Sequence, residues 1–389
     1  MSTDANEATG ILRDLMVVEL GDEGTQMCGK LLADMGATVI KVEPSEGCRA
    51  RHRGPYLDGH DGNPDASLYF WANNTSKDSV RLDLDDPKGR EAYLRLLEQA
   101  DVVLEDQRVG YLSLWGLAYE QLRERFPALI HVSVTPFGST GPFSTWKGSD
   151  IVLWAMGGAM SLIGYTDPTT PPLVPQGDLV AQLAGQWACM GTLAALEARD
   201  RHGEGQHVDV SMQEVVAFIT GNYATAPFEY EGAINRRADL MNMVEVCDGG
   251  YLVAQMLNIT DDKWQAFKDW LVEEGEGKDL YDLLPAEFES YRPRVMAVVK
   301  ELALTRTTPH MCELGQQFGF TWMAVNSVAQ LFDDKQLRFR GFFQLVAHPE
   351  LGRTFEYAGP GAEFVGDPWR IRRRPPLLGE DEIRWNVAP

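Results

Sequence analysis

The chain is short of positive charge. It carries 35 Lys and Arg against 57 Asp and Glu, a formal net charge of −22. That balance argues against a nucleic-acid binder, which presents a basic face, and against docking on anionic membrane. A polyanionic ligand then needs a local cluster of Lys or Arg. Cysteines are few: Cys28, Cys48, Cys189, Cys247 and Cys312 are scattered, odd in number and form no CxxC. A disulfide framework and a zinc site are both disfavoured. The seven histidines include no HxH or HxxxH, so no metal is expected. No apolar run approaches the ~18 residues that span a bilayer. The opening MSTDANEATGILRDL lacks a signal-peptide pattern, which predicts a cytoplasmic protein. Nucleotide motifs are also missing. The first predicted strand is followed by GDEGTQMCG (21–29), not GxGxxG, and Asp22 and Glu23 sit where a pyrophosphate would approach. There is no GxxxxGK[ST].

What is present is a large apolar fraction, 44% of 389 residues, enough for a substantial core. Residues 15–20 (LMVVEL), 37–43 (ATVIKVE), 79–84, 101–105 and 128–134 read as buried strands. Between them, residues 25–36, 86–100 and 119–126 read as amphipathic helices, the first with Met27, Leu31, Leu32 and Met35 on one face. This β-α-β alternation predicts an α/β fold with a parallel sheet covered by helices. The segment 201–216 reads as turn, strand and helix. Strands such as 249–255 then mix with helices up to about 331, which predicts a smaller domain. The expected organisation is a large domain begun by residues 1–200, a linker 201–224, a small domain 225–331, and a linker and C-terminal return over 332–389.

Two loops stand out. TPFGSTGPFSTWKGSD (135–150) is long and rich in Gly, Ser, Thr and Pro, a texture that is often functional in an α/β domain. GYTDPTTPPLVPQG (164–177) leads into a helix from Asp178 to about Arg199, with a predicted stripe Leu179, Leu183, Trp187, Met190, Ala194. Asp178 has two readings. Asp is a favoured N-cap. The same position also favours an anion, and an ionised carboxylate is what covalent catalysis on an acyl group requires. Lys77 and Lys147 lie in polar, Gly-rich surroundings. Each reads either as a solvated lysine or as a point charge holding phosphate. Trp146, Trp154, Trp187 and Tyr165 read as core or as the lining of an apolar acyl pocket.

Taken in order, the segments resemble one family. KLLADMGATVIKVEP (30–44), NNTSKDSVRLDLDDPKGR (73–90), PFGSTGPF (136–143), QGDLVAQLAGQWACMGTLAALEAR (176–199), HVDVSMQEVVA (207–217), DGGYLVA (248–254) and PPLLGED (375–381) match the class III coenzyme A transferases, of the formyl-CoA and carnitine type. The resemblance implies a Rossmann-like large domain built from both chain ends, a smaller α+β domain, and two subunits interlocked as a ring-like homodimer. It implies Asp178 as the catalytic carboxylate, passing through a mixed anhydride and an aspartyl-CoA thioester. Acyl-CoA and a carboxylic acid are the implied substrates, with no tightly bound cofactor. Lys77, Lys147 and Arg51 match positions near coenzyme A. Asp106 and Gln107, in LEDQ, stand where the family has an asparagine and an aromatic, and an extra acid there is unhelpful to a polyanion. Thr25 and Gln26 replace its glycine-proline, and Leu114 an arginine. The formyl-CoA branch's glycine-rich loop is not matched near 225–250. Two other readings remain: a 2-methylacyl-CoA racemase, which needs a histidine where this chain has Ser149 in Gly148-Ser149-Asp150, and a non-catalytic relative that only binds coenzyme A.

Overall fold

The computed structural model describes residues 10–164, 167, 169–224, 243–366 and 369–382. They divide into two compact units. The larger takes its described residues from the segments Met1–Ile163, Pro172–Asn235 and Gly341–Pro389, the smaller from Gly164–Pro171 and Arg236–Arg340.

The larger unit is built on strands β1 (Met16–Leu20), β2 (Thr38–Glu43), β3 (Asp78–Arg81), β4 (Val102–Glu105), β5 (Ile130–Thr135) and β6 (His207–Ser211). They form one sheet in the order β3-β2-β1-β4-β5-β6, and every neighbouring pair is parallel. This is the doubly wound α/β arrangement expected from the alternating pattern. Its strand order reverses between β1 and β4, where such sheets open a crevice at the carboxyl ends of the strands. Successive residues serve opposite faces of the sheet. Val17 joins Val39, Leu104 and Ile130 beneath one helical layer. Val18 joins Ile40, Val80 and Val103 against the helix α3 (Pro87–Leu97), through Tyr93, Leu96 and Leu97.

The first layer consists of α1 (Gln26–Asp34) and α6 (Leu179–His202). Between these two in the chain lie α2 (Leu68–Asn73), α3, α4 (Tyr119–Arg125) and α5 (Asp150–Met156), and α7 (Met212–Ala224) follows β6. The predicted stripe of α6 is corrected by its packing. The buried side is Val180, Ala184, Gly185, Ala188, Cys189, Thr192 and Ala195, whereas Leu179 and Met190 are exposed. The reason is close contact: a Cβ on Gly185 would lie 2.6 Å from the Met27 Cβ and 3.0 Å from the Cys28 nitrogen. Small residues let α6 lie directly on α1, so bulk is excluded from the contact rather than recruited to it. By mean composition α6 also reaches the length of a membrane span. The sequence shows no unbroken run because Gln182 and Gln186 interrupt it, and here the helix packs on α1 and the sheet.

A hairpin of β10 (Phe343–His348) and β11 (Arg353–Ala358) belongs to the larger unit. Beyond it the chain returns to the β3 side. The Arg373 carbonyl accepts from the Ser76 amide at 3.1 Å, and the Asp381 carboxylate accepts from the Ser79 amide at 2.9 Å.

The smaller unit is α+β. Strands β7 (Met243–Glu245), β8 (Tyr251–Gln255) and β9 (Thr321–Ala324) form an antiparallel sheet in that order. It packs with α8 (Asp261–Glu274), α9 (Phe288–Ala303) and α10 (Thr308–Gln317) around a core rich in rings, including Trp264, Phe267, Phe320 and Trp322.

Candidate active site

Asp178 occupies the N-cap position of α6 with φ 53° and ψ 44°, in the left-handed region. Gly177 before it has φ 101° and open space where a side chain would be. Two successive left-handed residues turn the chain sharply into the helix, and only the first is a glycine, for which that conformation is unstrained. An aspartate in this region is uncommon, and such conformations concentrate at functional positions. The Asp178 carboxylate makes no capping hydrogen bond. That duty falls to Asp150, at the start of α5, whose Oδ1 accepts from the Val180 amide at 3.0 Å. Asp150, although it begins α5, thus caps α6. Burial and the nearby Asp178 charge push the Asp150 carboxyl above its usual range, against the pull of the Val180 amide.

Relieved of capping, Asp178 pairs with the Arg53 guanidinium through Oδ2 and Nη2. The other terminal nitrogen, Nη1, donates to Glu23 Oε1 at 2.8 Å. The guanidinium lies over the Tyr69 ring, 4.1 Å from its centroid, and the Tyr69 hydroxyl accepts from Gln26 Nε2 at 3.1 Å. Ser67 Oγ donates to the Arg53 carbonyl and fixes the backbone. Burial opposes the Arg53 charge, but Asp178 and Glu23 hold its pKa above the ordinary value. Arg53 and Tyr69 do not emerge from the sequence, and Glu23 emerges only as an acid set against a pyrophosphate. Arg53 lies two residues from Arg51 in CRARHRGP, and nothing in that string says which arginine faces solvent.

Arg51 faces inward. It is fully buried and forks onto Glu43, with Nε to Oε2 at 2.7 Å and Nη2 to Oε1 at 2.8 Å. Nη1 reaches Asp65 at 3.0 Å, Nη2 also donates to the Pro376 carbonyl, and the guanidinium stacks on Phe70. Although burial alone would raise it, Glu43 is held down at about 2 by Arg51. Lys77 is likewise fully buried. Its Nζ meets Glu19 at 2.6 Å, the Gln26 carbonyl and Asn74 Oδ1, and burial lowers its pKa to about 8 in spite of Glu19. Both cations are thus neutralised internally, and neither offers an atom to phosphate from this position. Lys147, by contrast, is exposed in the loop after β5.

Asp106 and Gln107 sit at the end of β4, at the β1/β4 crevice. The Asp106 carboxylate accepts from the Asp22 and Gly24 amides, each at 2.9 Å. Gln107 Nε2 donates to the Leu20 carbonyl at 3.1 Å. Glu23, the partner of Arg53, lies between the two amides that bind Asp106. One turn after β1 therefore joins the Asp178–Arg53 pair to Asp106. Burial and the neighbouring Asp22 charge push Asp106 up to about 7, against its two amide bonds. An acid whose folded pKa is raised costs nothing below its unfolded value near 3.8 and its full penalty above 7. Stability from this group accordingly falls as pH rises from about 4 to 7. Asp106→Asn keeps an acceptor for the amides and removes the charge. It is expected to stabilise the protein by about 2 kcal/mol at pH 8, allowing for partial exposure, and by nothing near pH 4. Thermal melts of both proteins across this range check it; parallel profiles would refute it.

Of the aromatic candidates, Trp154 is core, packed with Phe137, Leu153 and Val180. Trp187 is half-buried and meets Phe218 edge-on. Trp146 is exposed and lies 4.3 Å from Phe143. Tyr165 lies outside the described residues.

Comparison with known proteins agrees with this architecture. The profile of CoA-transferase family III matches residues 12–382. Subunit BbsE of succinyl-CoA:(R)-benzylsuccinate CoA-transferase from Thauera aromatica is 31% identical over 375 residues, 94% of this chain and 90% of that protein. Succinyl-CoA:mesaconate CoA-transferase from Haloarcula marismortui is 38% identical over 401 residues, covering 95% and 94%. In several further CoA-transferase relatives the match covers about half of the relative's length. A solved CAIB/BAIF family protein from Brucella suis matches with a TM-score of 0.83 at 28% identity, over 96% of this chain and 97% of that one.

Proposed function

Because the chain belongs to CoA-transferase family III, we propose that it moves coenzyme A from an acyl-CoA to a carboxylic acid, with Asp178 as the covalent carrier. The observation that carries this reading is a partly exposed carboxylate, making no capping bond, on left-handed backbone at a helix start, held by one arginine.

The steps balance without a metal or redox partner. An Asp178 oxygen attacks the thioester carbonyl, the C–S bond breaks, and a mixed anhydride and the CoA thiolate result. The thiolate attacks the Asp178 carbonyl, the anhydride C–O bond breaks, and the donor leaves as its carboxylate. The enzyme now carries an aspartyl-CoA thioester. The acceptor carboxylate attacks that carbonyl and releases thiolate. The thiolate then attacks the acceptor's carbonyl, giving the new acyl-CoA and restoring Asp178. Each tetrahedral intermediate needs oxyanion donors. The Val180 amide is occupied by Asp150, so the donors come from other backbone amides near Asp178 or in the 136–149 loop.

Exposed Lys147 is the cation proposed to meet the CoA phosphates. Asp106 and Gln107 sit at the β1/β4 crevice, while Lys77 and Arg51 contribute by holding the loops around them. We propose the family's interlocked homodimer for this chain too, and exposed Met190, Phe218 and Ile219 supply apolar surface for a second copy. The reaction fits a cytoplasmic enzyme working on soluble thioesters.

The test is incubation with a panel of acyl-CoA thioesters, followed by mass spectrometry of the intact protein and its peptides. A CoA adduct on the peptide containing Asp178 is expected, along with CoA transfer to an added acid. Exchange of the α-hydrogen with solvent deuterium without transfer would establish the racemase reading instead. No adduct and no turnover would leave a binding protein.

A further inference from the structure

We propose that Arg53 is the residue that binds the carboxylate of the acid substrates, and that the covalent state of Asp178 decides when this site is open. The inference rests on the reading of Asp178 as the covalent carrier.

Arg53 is placed with care. Its carbonyl is fixed by Ser67, its plane by Tyr69, and one of its terminal nitrogens by Glu23. The remaining terminal nitrogen meets Asp178. Each of the two side chains is about one third exposed, 34% for Arg53 and 32% for Asp178, so the pair is reachable from solvent. In the resting protein one cation thus serves two anions, Glu23 and Asp178, with Asp150 a third acid close by. A substrate carboxylate entering here finds the donor occupied and the local charge already negative.

Conversion of Asp178 to an anhydride or a thioester erases its charge. Arg53 then keeps Glu23 alone, and the nitrogen that held Asp178 is free for another carboxylate. An arginine that reaches the Asp178 oxygen also reaches an acid lined up against the Asp178 carbonyl carbon. A planar guanidinium suits this role, because it presents carboxylate-matched donors in a fixed plane. Orientation of the attacking oxygen is a large share of such a step. The acid site is therefore assembled by the preceding chemical step. Exchange of donor acid for acceptor acid at Arg53 therefore takes place while the enzyme is acylated.

The test is a binding cycle with acetate and succinate as carboxylate probes, measured by calorimetry and ligand-detected NMR. Four proteins are compared: wild type, Asp178→Asn, Arg53→Gln and the double variant. Asp178→Asn mimics the uncharged acylated state. It is expected to bind at least one probe tenfold or more tighter than wild type, and the double variant is expected to lose that gain. Arg53→Lys in the Asp178→Asn background should restore part of it, which a folding defect would not. A second readout is kinetic: given acyl-CoA and acid, Arg53→Gln should accumulate the aspartyl-CoA adduct. Equal affinity in wild type and Asp178→Asn, or a double variant that binds as well as Asp178→Asn, overturns the proposal, as does absence of probe binding in all four. If the wild type forms the adduct and the affinity gain is missing, only this inference falls. If the wild type forms no adduct, the transferase reading itself falls.

Discussion

Asp178→Ala should reduce transfer of CoA between acyl-CoA and acid by at least about 10⁴-fold and abolish the covalent adduct, with no loss of folded protein. The size of the effect follows from the role. A nucleophile that forms two successive covalent intermediates cannot be replaced by water in the same pathway, and a methyl group attacks nothing. Preserved folding follows from the division of labour at the head of α6. The Val180 amide bonds to Asp150, and Asp178 makes no cap bond whose loss would fray the helix. Alanine does carry a cost in left-handed backbone, of about 1 kcal/mol, which a melt would register as a small shift. Initial rates at saturating acyl-CoA, beside circular dichroism, separate the two effects. A variant that keeps more than a few per cent of wild-type turnover would remove Asp178 from the chemistry.

The second large effect is on stability. Arg51→Ala should destabilise the protein by about 3–5 kcal/mol, because it strands the buried Glu43 carboxylate without its cation. Glu43 and Arg51 are both fully enclosed, and the fork between them is the main reason that Glu43 stays ionised. The same guanidinium ties Asp65 and the Pro376 carbonyl, so one truncation loosens three segments. For a unit of this size the melting temperature should drop by about 10 °C. Arg51→Lys should recover little, since a single ammonium cannot reproduce the fork. A drop of less than 2 °C in the melt would show that the pair is dispensable.

The sheet was readable because its strands are short apolar runs separated by amphipathic helices, and a fully covered parallel strand is apolar on both faces. Val17 and Val18 obey that rule together. The buried side of α6 departs from the predicted stripe for a related reason. An apolar stripe marks bulky residues, whereas the contact with α1 is made by Gly185, Ala188 and their small neighbours, which carry little hydrophobic signal. Asp178 was legible through its place before a strong helix and through family resemblance. Arg53 was not, because its partners Glu23, Tyr69 and Asp178 come from distant parts of the chain and are assembled only by the fold. Lys77 and Arg51 show the converse difficulty: a string of letters cannot say whether a cation meets a ligand or a buried glutamate.

The segment 371–381 has a bearing on how the protein is made. Arg372 donates to the carbonyls of Ala33 and Ala37, at the end of α1, and Leu378 and Gly379 bond to Asp65 and Ser79. These bonds join residues some 300 positions apart. A chain emerging from the ribosome therefore exposes the rim of β3 and the end of α1 until residues 371–381 have been synthesised. Completion of the larger unit waits for this segment, through pairings whose loop-closure cost makes them late and slow. That interval is when unfinished chains are open to capture by chaperones or to aggregation.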